Sequence, residues 1–127
     1  MAQSTMTEER KAILEAGGFN VDEAMKRFMN NEKLWTKFLK KFKADTSYEN
    51  LVKAMEEKDQ KSAFEAAHTL KGITGNLAMN RLHELVGEQT DYLRDESSDF
   101  EAAAAMMPKI TEEYENSYKM IEEVYGE

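Results

Sequence analysis

Residues 67–76 read AHTLKGITGN, a histidine followed at four and seven residues by glycines, within a run whose apolar residues recur at helical spacing. A glycine in a helix interior costs about 1 kcal/mol relative to alanine, so Gly72 and Gly75 together withdraw roughly 2 kcal/mol from the local helix. Projecting residues 60–78 at about 100° per residue gathers Ala63, Ala66, Leu70, Ile73 and Leu77 into one arc and turns His68 nearly to the opposite side. His68 is therefore expected to face water. Lys61, Phe64, Glu65, Lys71, Gly72 and Gly75 share its side. The glycines fall where side chains would otherwise rise over the imidazole. The pattern predicts a flat approach to the ring, with room for another macromolecule or for a bulky group on the histidine itself. A surface histidine without a function accounts for the exposure but not for two glycines on the same face.

Working outward, helical patterns fill the chain. Residues 5–16 carry Thr5 and Glu8 in capping-box spacing and stop at Gly17 and Gly18. Asn20 with Glu23 starts a second pattern whose apolar residues run from Ala24 to Phe42, with an interruption or a kink at Asn30 and Asn31. Asp45, Thr46 and Ser47 supply caps ahead of Leu51, Val52 and Met55, and Lys58 and Asp59 close that segment and cap the helix bearing His68, read as 60–78. Asn80 starts a helix ending near Asp95. Ser98 with Glu101 opens the last, which reaches Tyr125 with a kink or break at Pro108, just before Lys109. Short connections between amphipathic helices predict an all-α fold, an antiparallel four-helix bundle with one or more extra N-terminal helices. The chain is read as one domain over 1–127, with 1–17 an N-terminal helix and 18–127 the bundle.

Composition narrows the function. Without cysteine there is neither a disulfide framework nor a thiolate zinc site, which fits a reducing compartment. No apolar run approaches the roughly 20 residues of a membrane span, and the N-terminus lacks the basic-then-apolar order of a signal peptide, so a soluble cytoplasmic chain is expected. The net charge of −8 argues against nucleic acid as a partner. Asp and Glu are scattered over helix faces rather than clustered for a metal, and no Gly-rich nucleotide loop or kinase signature is present. His83 flanks an apolar stripe and reads as structural or surface. Phe64 reads either as packing or as an apolar contact for a docking partner. Lys71, one turn from His68, brings an ammonium that works against a second positive charge on the ring and attracts phosphoryl oxygens, both of which suit a phosphohistidine.

On AHTLKG the sequence resembles the histidine-containing phosphotransfer (HPt) domains of bacterial two-component phosphorelays, whose core pattern is His, two residues, Lys, Gly and then small residues on the next turn. His68, Lys71, Gly72 and Gly75 match it. The resemblance extends to 18–42, similar to the family's leading helix pair, and to 59–86, similar to its central hairpin. Ala78 departs from it, since many members carry glycine there. The resemblance implies that His68 accepts a phosphoryl group through its distal ring nitrogen, that Lys71 assists its charge, and that Gly72 and Gly75 give a receiver domain access. It further implies response-regulator receivers and a (hybrid) histidine kinase as partners, Mg2+ held by the receiver and no cofactor of the chain's own, and a monomeric carrier without a kinase or ATP site. A free-standing carrier and a module of a larger kinase both fit. Two other readings compete: a helical adaptor that binds receivers or kinases without chemistry, and an enzyme using His68 as general base with Glu65 as its orienting carboxylate.

Overall fold

The computed structural model describes residues 7–94 and 98–126, which form eight helices and no strand. They are α1 (Glu8–Ala16), α2 (Val21–Arg27), α3 (Glu32–Ala44), α4 (Ser47–Glu56), α5 (Gln60–Asn76), α6 (Asn80–Tyr92), α7 (Phe100–Ala105) and α8 (Met107–Tyr125). The expected all-α bundle is present, and the helix bearing His68 is α5.

Side-chain contacts give the direction of each helix. Gln60 donates to the carbonyl of Leu93 at one end of the α5–α6 pair, while His83 meets the carbonyl of Lys71 toward the other, so these helices run antiparallel. Gln89 reaches Ala103 and Met107, and Arg81 lies 3.6 Å from Glu113, so α6 and α8 are antiparallel too. Tyr48 bonds Thr111 and stacks on Tyr114 with ring centroids 3.9 Å apart, and Phe42 packs on the same tyrosine, which sets α3 and α4 end to end along α8. The result is an up-down-up-down bundle of α3–α4, α5, α6 and α8 around Leu39, Leu51, Ala63, Ala67, Leu70, Leu82, Val86, Leu93, Ile110 and Ile121, all buried. Each large aliphatic side chain among them stabilises the fold by about 1.5–3 kcal/mol on burial.

Several expected boundaries move by a residue or two. The Thr5 cap lies outside the described residues, and Thr7 caps α1 by accepting from the Arg10 amide at 3.1 Å. The pattern broken at Asn30 and Asn31 is interrupted rather than kinked: α2 ends at Arg27, and Asn31 caps α3 by accepting from Leu34. Asn20 and Asp59 cap α2 and α5 as read. The His68 helix stops at Asn76, not Ala78, and Met79 precedes α6, so Asn80 sits in the first helical position and its amide donates to Glu23 instead. Asp99, not Ser98, caps α7 through the Ala102 amide. The last helical pattern breaks at Met106, with Pro108 in the first turn of α8, where a missing N–H is harmless.

The N-terminal helices close the α5–α6 end of the bundle. The last carbonyls of a helix lack intrahelical partners. Here Arg27 donates to those of Gly75 and Asn76, the Trp35 indole to Leu77 at 3.0 Å, and the Asn20 amide to Ala78 at 2.8 Å. Glu32, buried in α3, accepts two bonds from Arg10 and one from Tyr125, each 2.7 Å, tying α1, α3 and the end of α8 together. Burial, then the hydrogen bond to Glu32, hold the Tyr125 hydroxyl above its ordinary pKa.

Candidate functional site

A 17-residue helix fixes the site. α5 buries Ala63, Ala66, Ala67, Leu70 and Thr74, so its apolar arc is turned slightly from the projected one, and Ile73 is only half-buried. His68 lies on the opposite side, exposed as expected. Thr74 is accommodated in the core because its hydroxyl donates to the Leu70 carbonyl at 2.9 Å.

Phe64, His68 and Lys71 of α5 follow the seam with α6. Phe64 is half-buried and stacks on the His68 ring, centroids 5.7 Å apart and planes 12° from parallel, with the Arg94 guanidinium 5.5 Å from its own centroid. It therefore both packs and supports the imidazole. Lys71 is half-buried, its stem lying across α6 at Gly87, where a Cβ would meet the Lys71 Cε at 3.6 Å. Gly87 lets the lysine lie along the seam. Among the described residues no carboxylate pairs with the Lys71 ammonium, which is left for an incoming anion.

The two motif glycines differ. A Cβ at Gly72 would meet nothing within 4 Å, so the approach to His68 is open there. A Cβ at Gly75 would lie 2.8 Å from Cε1 of His83. The space expected to serve access at Gly75 is filled by the chain's own imidazole, which corrects the reading of Gly75. His83 is the structural histidine: its Nδ1 lies 2.9 Å from the Lys71 carbonyl, which can only accept, so that nitrogen carries the proton. His68, Lys71, Gly72 and Asn76 line one side of a shallow groove, with Asn80, His83, Glu23 and Arg27 opposite. The sequence reading missed Gly87, Arg94 and the α2 pair Glu23 and Arg27. Gly87, a third helix-interior glycine, was the one signal available for them.

No carboxylate among the described residues bonds either nitrogen of His68, so the general-base reading lacks its orienting group, Glu65 included. Among the same residues no three His, Asp or Glu side chains converge to hold a metal ion, and no helix is long and apolar enough to cross a membrane.

A family model of the Hpt domain matches residues 34–119, about two-thirds of the chain. The chain belongs to the Hpt domain family, whose members are phosphotransfer carriers of two-component signalling. Comparison with curated proteins and with solved structures finds no match.

Proposed function

We propose that this chain relays a phosphoryl group between receiver-domain aspartates and His68. The observation that carries the reading is an exposed imidazole with an unpaired lysine one turn away and open space over Gly72. In the forward step the lone pair of the distal ring nitrogen attacks the phosphorus of a receiver acyl phosphate. The N–P bond forms in line as the P–O bond to the aspartate breaks, and the carboxylate leaves with the bonding pair. The proton on the other ring nitrogen stays with the imidazole until solvent takes it. The return step is the reverse. Lys71 balances the charge of the phosphoryl oxygens, Phe64 holds the ring plane, and Mg2+ sits in the acidic pocket of the receiver. Beyond the His68 nucleophile, the protein supplies mainly position and charge. The carrier acts as a cytoplasmic monomer, fed by a histidine kinase through its receiver.

The test is incubation of the purified chain with a panel of phosphorylated receivers, following acid-labile, base-stable phosphate. Label on the wild type and none on His68→Gln, with helicity equal by circular dichroism, is the expected result. Label retained on His68→Gln moves the site elsewhere. No label from any receiver, with the fold intact, favours the adaptor reading.

A further inference from the structure

Gly87 stands in the interior of α6, where glycine is a poor helix former. The ordinary reasons for a glycine are missing there. Its φ is not left-handed, and no backbone of another helix presses on it. Among the described residues, the atoms of other elements within 4 Å of where its Cβ would stand are the Cε and Cδ of Lys71, at 3.6 and 3.8 Å. The absent side chain thus leaves free the strip of α6 that the lysine stem occupies.

Lys71 is held at its backbone and free at its tip. Its carbonyl accepts from the His83 ring at 2.9 Å and from the Thr74 hydroxyl at 3.1 Å. Its ammonium meets no carboxylate among the described residues, and the acid one turn beyond Gly87, Asp91, is paired with Arg94 at 3.2 Å. No ion pair therefore decides where the charge stands. A lysine stem is flexible, and laying its methylenes along a neighbouring helix is what narrows its choice of rotamers. A methyl on residue 87 would rest against that stem at ordinary contact distance. A longer side chain would compete for the space of Cδ and Cε and turn the ammonium out of the seam.

We propose that Gly87 is a positioning residue for phosphoryl transfer: by leaving its strip of α6 bare, it lays the Lys71 stem across the seam and sets where the ammonium stands beside a phosphoryl group on His68. This rests on the relay reading above and adds to it a residue of α6 that acts only through Lys71. Its size is what matters, since glycine brings no group of its own.

The test labels the full chain with phosphoramidate, which is too small to be obstructed as a protein donor would be. The distal nitrogen of His68 attacks phosphorus and forms the new N–P bond. The bond to the protonated donor nitrogen breaks, ammonia leaves with the bonding pair, and the ring proton passes to solvent. Rates are compared for wild type, Gly87→Ala, Gly87→Leu and Gly87→Gln, each with Lys71 present and with Lys71→Ala. Lys71→Ala should label about fivefold to tenfold more slowly than wild type. Gly87→Leu and Gly87→Gln should fall toward that same rate, and neither should slow the Lys71→Ala chain further. Gly87→Ala should lose least and melt at a higher temperature than wild type. Wild-type rates in Gly87→Leu and Gly87→Gln overturn the proposal, as does a wild-type rate in Lys71→Ala. Equal proportional losses with and without Lys71 also overturn it, because residue 87 then acts on the fold or on access to His68. If one of the two long variants loses helicity by circular dichroism the other decides, and if both do, residue 87 is a packing position and the proposal fails. Receivers decide the relay separately: a chain labelled on His68 by phosphoramidate but by no receiver loses the relay reading, while the dependence on Lys71 still judges Gly87.

Discussion

Gly72 and Gly75 lie three residues apart, and substitution should separate them. Gly72→Ala meets nothing and restores helix propensity, so it should stabilise the fold by about 0.5–1 kcal/mol. A bulky residue there should slow phosphoryl exchange with little loss of stability. Gly75→Ala drives a methyl into His83 and should destabilise by about 1–3 kcal/mol, a penalty that His83→Ala removes. Denaturant unfolding of the two single variants and the double variant measures this; equal effects with and without His83 would break the argument. Ala78 is a third case. It holds a left-handed φ of 60° while fully buried. Glycine there would relieve roughly 1–2 kcal/mol of strain. It would also lose a buried methyl of about 0.8 kcal/mol and add about 0.5–1 kcal/mol of backbone entropy cost. Ala78→Gly should therefore shift stability by less than about 1 kcal/mol, and the departure from the family's glycine is nearly neutral. The histidine, its exposure and the lysine beside it were legible in AHTLKG, because helical periodicity fixes which side faces water. What fills the space over a glycine was not, since His83 arrives from another helix.

At the scale of the element, four helices end alike. Gly18, Met29, Lys58 and Ala78 each adopt a left-handed φ, and the following amide reaches back to the carbonyl five residues before it, at Leu14, Met25, Ala54 and Thr74. Only the first is a glycine. This is why the helix starts were read more closely than the stops: a capping side chain such as Asn20 or Asp59 announces itself by type, whereas methionine, lysine or alanine in the left-handed region does not. Asp59 also gives a pH prediction. Its carboxylate accepts from the amide and hydroxyl of Ser62, and these bonds hold its pKa below the ordinary value. A lowered folded pKa means that the cap contributes fully above the unfolded value of about 4 and is lost as pH falls through the folded one. The protection of the first-turn amides of α5, taken relative to their intrinsic exchange rates, should fall on acidification through that window and stay constant in Asp59→Ala; unchanged protection in wild type would discount the cap.

Across the whole molecule, the N-terminal helices fasten the end of the helix that carries the site. Their buried anchor is Glu32. Glu32→Ala leaves Tyr125 and Arg10 without their shared acceptor and should cost about 2 kcal/mol in denaturant unfolding, below the 3–5 kcal/mol of a fully buried pair because the Arg10 side chain is 35% exposed. A loss under about 0.5 kcal/mol would mean that α1 and the end of α8 are held by apolar contact alone. The bundle itself was legible from the spacing of apolar residues. The carbonyls at the end of α5 covered by Asn20, Arg27 and Trp35 were not, because backbone groups leave no mark in a sequence.

Trp35 gives that arrangement an optical readout. It is the only tryptophan in the chain, and its indole is fully buried with its N–H on the Leu77 carbonyl. Its emission therefore reports on a single place, the turn at the end of the helix that carries His68. A spectrum that shifts to the red before global helicity falls would show α3 parting from that turn while the other helices of the bundle stay folded.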